Sequence, residues 1–549
     1  MSGSPGPDRA VLGARVVATI FLAAIAGVVV YVIAARFSFP GELEWMTGAI
    51  VDHVERVRNG QPIYAAPSAD WIPFIYTPGY YWACATVSRV LPIVAACRLV
   101  SIVSSAITAV CTYFLAKNAG ASRYQASLAP LLFVACFGYV CAWYDIERAD
   151  ALLVAMLALA AVALQRARSS TTTAVSGALV GLAFFVKQPA TTFIVVVPLV
   201  LLVGQLTKRA LAFGGGAALA IVPTFVWLQA STKGWFSFYC LALPRAHGMA
   251  AKYITTFFIV DLSKALLLTV ATLGAFAWLV ARVRDRIGRR DVAVDPRKLV
   301  LVAFLAAGFV ASATSRLHVG GWPNVLVFWT TFAVPTFAVL ATRLESLGSK
   351  TVTCVVLAAT ALQAGAFVPD PNEAVPDDAA LVATRAFDAR IAALETEGDV
   401  LCLGRGHVTR KRHPHLNALV DVMRAGKPVP ADLREAIAGR RFAAIVIDDL
   451  DDIRMQKLLD RESELFSIVA GNYFIAEHID DRAPMPVVGF PTLPRIVLRP
   501  RKAPIALDHD ALVARQLVEL GLAEANMRAA QAHQPVSDGL DIETRAAER

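Results

Sequence analysis

A chain of 549 residues, 56% of them hydrophobic and only 17% charged, with a mean hydropathy of +0.56, is excluded as an ordinary soluble enzyme and reads as a membrane protein. The formal net charge of +9 does not call for nucleic acid, because the basic residues gather in short loops between apolar runs, which is the signature of membrane topology. The eight cysteines carry no disulfide or zinc spacing: Cys84, Cys97, Cys111, Cys136, Cys141, Cys240 and Cys354 fall in or beside apolar runs and Cys402 in the polar part, so they read as small apolar fillers.

A bilayer-spanning helix takes about 20 mostly apolar residues. The first such run, 11–34, is too long for the core of a signal peptide and is expected to stay as a helix. From Gly41 to Asn59 the apolar residues Leu43, Met46, Ile50, Val54 and Val57 recur three or four apart. That stripe predicts an amphipathic helix lying in the interface, closed by a turn at "NGQP". Glu42 and Glu44 stand at its start, where acids complement the helix dipole. The next segment, "IPFIYTPGYYWACATVSRVL" (Ile72–Leu91), is broken by Pro73, Pro78 and Gly79, and its Tyr76, Tyr80, Tyr81 and Trp82 suit the headgroup level. It is expected not to cross. Further spans are expected at 94–116, 125–143, 150–165, 173–187, 190–206, 210–230, 259–281, 299–315, 325–341 and 351–368, about eleven in all with the first.

If Ile72–Leu91 does not cross and Met1 is cytoplasmic, the inner loops collect Lys117, Arg123, Arg166, Arg168, Lys208, Arg209, the cluster Arg282–Lys298, Arg343 and Lys350. If it does cross, the densest basic cluster faces outward. The positive-inside rule selects the first arrangement. The amino terminus is then cytoplasmic, and the first outer loop (36–93) and the carboxyl-terminal part are extracytoplasmic. Glu42, Glu44, the acids of "YDIERAD" (Asp145, Glu147, Asp150, with Arg148), Lys187, Arg245, His247, Arg316 and His318 all emerge on that one outer face.

After residue 368 charges become dense. Residues 383–405 read as a helix into the strand "DVLCLG", "ADLREAIAGRRFAAIVIDD" as a helix into a buried strand, and "LPRIVLRP" as a late strand. The expected fold is therefore an all-α polytopic membrane domain (1–368), a small α/β soluble domain (369–505) and a polar tail (506–549), partly helical or disordered. "IDDLDD" lacks any nucleotide-binding context, and the loop "GRGHVTRKRHPH" reads as solvated and basic. Inside the membrane domain, Asp261 and Lys264 are read as a mutual pair. Gly177-x-x-x-Gly181 and Gly214–Gly216 are read as sites of close helix packing.

The order of a first span, an outer loop with an acid, a turn at Gly60–Tyr64 and the stretch "YTPGYYW" resembles the GT-C glycosyltransferases, in particular family 39-like enzymes such as protein O-mannosyltransferases and the lipid A aminoarabinose transferase. The resemblance extends through "ERADALLVAMLALA" (Glu147–Ala160), "VKQPATTF" (Val186–Phe193) and "RLHVGGWPN" (Arg316–Asn324), and covers most of 11–368. It implies a membrane enzyme that takes a sugar from a polyprenyl-phosphate donor, on the extracytoplasmic face, and passes it to a hydroxyl of a lipid, glycan or protein acceptor. The first-loop acid would be, or would orient, the base: Glu44 by its distance from the Gly60 turn, with Glu42 as the alternative. The family more often has Asp there, followed by Glu, where this chain has Trp45. The resemblance also implies donor-site roles for Arg316, His318 and Asn324, while Asp145, Glu147, Arg148, Asp150, Lys187, Arg245 and His247 are candidates for substrate contact. Asp150 also reads as a cap of the next helix, Lys187 as a snorkelling lysine and Arg245 and His247 as loop charge. The family pattern Arg-Pro-Asp is here Arg148-Ala149-Asp150. Some GT-C enzymes use a divalent metal and others do not; no ligand spacing in this sequence calls for one. The competing readings are a transporter or flippase of a lipid-linked glycan, which should carry midplane charges and repeat symmetry, and a non-catalytic membrane scaffold.

Overall fold

The computed structural model describes residues 9–288, 294–448, 463–479 and 485–505. The tail from 506, Arg289 and Arg290 of the basic cluster, and most of the "IDDLDD" stretch (449–452) lie outside them. The chain forms two compact units. The first comprises Met1–Ala65, Phe74–Asp377 and Val487–Gly489, and the second Ala66–Pro73, Asp378–Pro486 and Phe490–Arg549.

In the first unit, helices fall at each of the expected apolar segments. They are α1 (Arg9–Phe37), α4 (Ile93–Asn118), α5 (Arg123–Ala135), α6 (Asp150–Arg166), α7 (Ser170–Phe184), α8 (Ala190–Val203), α9 (Thr207–Ser231), and the later helices Leu266–Ile287, Pro296–Leu317, Val327–Glu345 and Lys350–Gly365. Among the described residues, six helices are long and apolar enough to cross a membrane. The others run 13 to 17 residues, which is short of the usual span length. Two further helices belong to the first loop, α2 (Thr47–Arg58) and α3 (Gly79–Val87). At 9 residues, α3 is about 14 Å long and cannot traverse a hydrocarbon core of about 30 Å.

Three boundaries differ from the sequence reading, each for a local reason. The helix of the first loop starts at Thr47, not Gly41, and its first two turns do not lie on the surface: every residue from Thr47 to Val54 is buried. Its polar His53 is taken up by the interior, stacked on Phe74 and Tyr81 at 5.1 and 4.8 Å. Second, α5 stops at Ala135, and Cys141 and Ala142 adopt left-handed φ of 57° and 56°, conformations that cost an L-residue roughly 1–2 kcal/mol. The irregular stretch that follows is buried and its carbonyls are satisfied by side chains: Ser105 Oγ donates to Tyr144 O at 2.8 Å and Arg36 Nη1 to Ala142 O at 3.1 Å. Non-helical backbone is tolerated at such depth only where protein supplies those partners. Third, the segment expected at 259–281 becomes a regular α-helix only at Leu266, after a π turn over Thr256–Asp261.

Small residues set the closest helix contact. A Cβ on Gly177 of α7 would lie 1.9 Å from Phe213 O of α9, and one on Gly216 would lie 1.9 Å from Ala174 O, so these backbones touch. Gly214 has nothing within 4 Å.

The second unit carries a four-stranded sheet in the order β1-β2-β4-β3, from β1 (Val400–Cys402), β2 (Ala444–Asp448), β3 (Tyr473–His478) and β4 (Pro494–Pro500). β1 and β2 are parallel, with Leu401 opposite Ile445, and β4 runs antiparallel to both β2 and β3. The helix Asp378–Leu394 packs Phe387, Ile391 and Leu394 on Val400, Cys402, Ala444, Val446 and Val497. β3 is the strand that the sequence reading leaves out. Its burial runs from a buried Tyr473 to exposed neighbours, which gives little apolar signal.

Replacing Gly177 or Gly216 by Ala is expected to lower the unfolding temperature of the detergent-solubilised protein by several degrees, since overpacking costs about 1–3 kcal/mol. Gly214→Ala, in the same glycine run but in open space, is expected to leave it unchanged or raise it slightly through helix propensity.

Candidate active site

The segment Tyr144–Asp150 carries three acids and one arginine, and each charged side chain finds an opposite partner from a different stretch of the chain. Asp145 Oδ1 receives Arg36 Nη1 at 3.2 Å. Glu147 Oε1 receives Arg98 Nε at 2.5 Å, and its Oε2 accepts from Thr47 Oγ1 at 2.9 Å. Arg148 Nη1 stands 3.6 Å from Glu44 Oε2. Asp150 Oδ1 accepts from Lys187 Nζ at 2.7 Å and from Asn324 Nδ2 at 3.2 Å. All of these groups are buried, so each charge is compensated where water is scarce.

Arg98 does more than pair. Its guanidinium also donates to the carbonyls of Arg36, Phe37, Phe39 and Gly41 at 2.9, 3.1, 2.6 and 3.1 Å. Those carbonyls line the exit of α1, so Arg98 fixes where the first loop begins. Three residues after Gly41 the chain turns at Glu44. Met46 N–H donates to Glu44 Oε2 at 3.1 Å, while Glu42 Oε1 accepts from Gly48 N–H at 2.9 Å in the first turn of α2. The two glutamates therefore divide their work: Glu42 serves the helix start, and Glu44 points to Arg148.

The "YTPG" stretch is held on the turn between α7 and α8. Gly79 N–H donates to Phe185 O at 2.5 Å, Thr77 Oγ1 to Phe184 O at 3.0 Å and Gln188 Nε2 to Ile75 O at 2.6 Å. A Cβ on Gly79 would lie 2.6 Å from Phe185 O, so no other residue allows this approach. The consequence is the position of Tyr76. Its hydroxyl accepts from Arg148 Nη2 at 2.7 Å, and its ring lies 4.9 Å from the Arg148 guanidinium carbon and 5.6 Å from Lys187 Nζ. His53 secures the same segment, since its Nε2 accepts from Phe74 N–H at 2.9 Å while Nδ1 meets Ala49 O at 2.6 Å. Burial drives its pKa down to about 3, so it stays neutral.

These side chains border a small recess, lined by Ile50, Tyr76, Tyr81, Arg148, Asp150 and Lys187 among others. The arrangement offers two cations beside an aromatic wall, with a carboxylate behind one of them. Burial pushes the Glu44 carboxyl above the usual carboxylate range, and Arg148 pulls it only partly back. Glu44 is therefore more basic than an ordinary glutamate. Its ionisation costs more in the fold than in the unfolded chain, so its contribution to stability declines as pH rises from the usual glutamate range through the elevated value. Burial likewise lowers the Lys187 pKa, opposed by Asp150.

The other candidates gather elsewhere. Arg316 Nε donates to Asp261 Oδ2 at 2.8 Å and its Nη1 to Gly321 O at 2.6 Å. Asp261 is thus tied to an arginine from a distant helix, and not to Lys264 as the local spacing suggests. His247 and His318 stack at 4.8 Å, and Arg245 is exposed on the short turn Leu243–Ala246. Glu44, Arg148, Asp150, Lys187 and Asn324 form one connected group, whereas Arg245, His247, Arg316 and His318 lie on another. Asp145 and Glu147 are engaged by Arg36 and Arg98. Those two arginines were missed in the sequence, although each interrupts or ends an apolar run, and a charge in such a place signals a partner.

The profile of glycosyltransferase family 87, a GT-C-type family, matches residues 74–313. No curated protein sequence matches the chain. In three dimensions the chain is similar to ArnT from Cupriavidus metallidurans bound to undecaprenyl phosphate, at 12% identity and a TM-score of 0.54, over 88% of this chain and 97% of that one. It is similar also to apo ArnT from the same organism, at 14% identity and a TM-score of 0.55, with the same coverage. The chain is a multi-pass membrane protein with the GT-C fold, as the sequence resemblance implies, and these findings together support a membrane glycosyltransferase.

Arg98→Met is expected to destabilise the protein by about 3–5 kcal/mol, because it leaves Glu147 charged and unpaired in the interior. Thermal unfolding in detergent measures the loss. Adding Glu147→Gln to that variant is expected to recover part of it, and Arg245→Ala is expected to be silent.

Proposed function

We propose that the chain transfers a sugar from a polyprenyl-phosphate donor to an acceptor hydroxyl on the extracytoplasmic face of the cytoplasmic membrane, with Glu44 as general base and Glu42 as a helix-start ligand. The observation that carries this reading is the pairing of Glu44 with Arg148 at 3.6 Å beside a recess that also presents Lys187. The binding of undecaprenyl phosphate by ArnT supports a polyprenyl phosphate as the lipid partner, and the family 87 match supports glycosyl transfer as the chemistry.

The roles follow from charge. As the acceptor oxygen attacks the anomeric carbon, its proton passes to Glu44, the new C–O bond forms and the bond from the anomeric carbon to the phosphate oxygen breaks. The departing lipid phosphate needs cations and donors, not an acid. Arg148 and Lys187 supply them, with Tyr76 ordering both. Asp150, itself bonded by Asn324, holds Lys187 in place, and Arg316, His318, His247 and Arg245 form a second, peripheral set along the same outer face. The amino terminus is then cytoplasmic and the α/β domain extracytoplasmic.

The test is transfer of label from a panel of tritiated polyprenyl-phosphate hexoses and pentoses, in membranes holding the full chain. Glu44→Gln is expected to lower turnover by about 10²–10⁴-fold, the usual contribution of a positioned base, and Glu42→Gln by far less. Turnover of the parent should rise with pH through a value above the ordinary glutamate pKa of about 4.3, because the deprotonated form is the active one. A Glu44→Gln variant with full turnover removes the base from this scheme.

A further inference from the structure

We infer that the three-residue segment Val487–Gly489 is a positioning element for Glu44, and that Gly489 is the residue by which it acts. This inference rests on the assignment of Glu44 as the base. The segment lies between β3 and β4 in sequence, more than 440 positions beyond Glu44, yet it belongs to the same compact unit as the first loop. Val488 N–H donates to Leu43 O at 3.0 Å, and Glu44 and Val488 form an isolated parallel bridge. The backbone immediately before the proposed base is therefore held by this segment.

Gly489 then closes the space behind the carboxylate. A Cβ there would fall 3.0 Å from Glu44 Cγ, 3.1 Å from Glu44 Oε1 and 3.2 Å from Trp45 Cδ1. Its φ of +78° is also one that side chains disfavour. Both Glu44 and Trp45, the residue at which this chain departs from the commoner acid, thus pack on the bare backbone of Gly489. With that wall behind it and Met46 N–H holding Oε2, the carboxylate has one direction left, toward Arg148. A side chain at 489 would push Glu44 off that line, and displacement of a reacting group by about 1 Å can cost 10²-fold in rate.

Gly489→Ala isolates the contact, because Gly348 provides a control for backbone strain: it has the same φ of +78° with nothing within 4 Å. With a donor from the tritiated panel that the parent turns over, Gly489→Ala is expected to lower kcat about a hundredfold at unchanged donor KM and to move the acid limb of the pH profile, while Gly348→Ala keeps parental kinetics. In the double variant Glu44→Asp/Gly489→Ala the shorter carboxylate recedes from the new methyl, so its turnover should match that of Glu44→Asp alone. This non-additivity is what direct contact predicts, and it is required even if Gly489→Ala by itself does not fold. Parental kinetics for Gly489→Ala, or fully additive losses in the double variant, overturn the positioning role while leaving Glu44 as the base. Full turnover of Glu44→Gln overturns the base and this inference with it.

Discussion

A charge buried beside a lipid-embedded helix bundle has to be matched within the protein, because neither solvent nor lipid will compensate it. Everything near the candidate site follows from that requirement. Asp145, Glu147, Arg148 and Asp150 follow one another in a single short turn, and Arg36, Arg98, Glu44 and Lys187 come to meet them from α1, α4, the first loop and the α7–α8 turn. Matching them brings four separate stretches of chain to one place. Moving any one partner would strand a charge, so the network fixes the site as firmly as apolar packing does.

Within that network the pairs are not equivalent. Arg98 is saturated: five acceptors surround it, and four of them are carbonyls at the exit of α1. It organises backbone and offers nothing to a ligand. Arg148 and Lys187 each have a carboxylate partner but also border open space and the ring of Tyr76. A lipid phosphate entering the recess would meet cations whose positions are already set by protein contacts, so little reorganisation is required on binding. The same burial that makes these pairs necessary pushes the Glu44 carboxyl above the usual carboxylate range.

Irregular backbone is concentrated around the recess for a related reason. The turn after α5, the "YTPG" stretch and the Leu43–Val488 bridge all leave regular secondary structure, and each is satisfied by contacts that only the assembled fold supplies. Helices alone would present side chains along their faces. Loops buried between them can aim a carboxylate, a guanidinium and an ammonium at one point.

The sequence by itself determined the membrane class, the apolar segments and the interruption of Ile72–Leu91, where the structure has only the short α3, because apolar length and Pro/Gly interruption are local properties that a bilayer reads directly. Charges near the ends of apolar runs also made Glu42, Glu44, Arg148, Asp150 and Lys187 conspicuous, while the preference for Glu44 over Glu42 and the naming of Asn324 came from the family resemblance and not from the pattern. What the tertiary structure alone decided is which charge meets which. Asp261 pairs with Arg316 and not with Lys264, Glu147 is consumed by Arg98, the first two turns of α2 are buried, and Gly489 stands behind Glu44. Such pairings are set by distances across the fold, between residues tens or hundreds of positions apart, and periodicity along the chain carries no record of them.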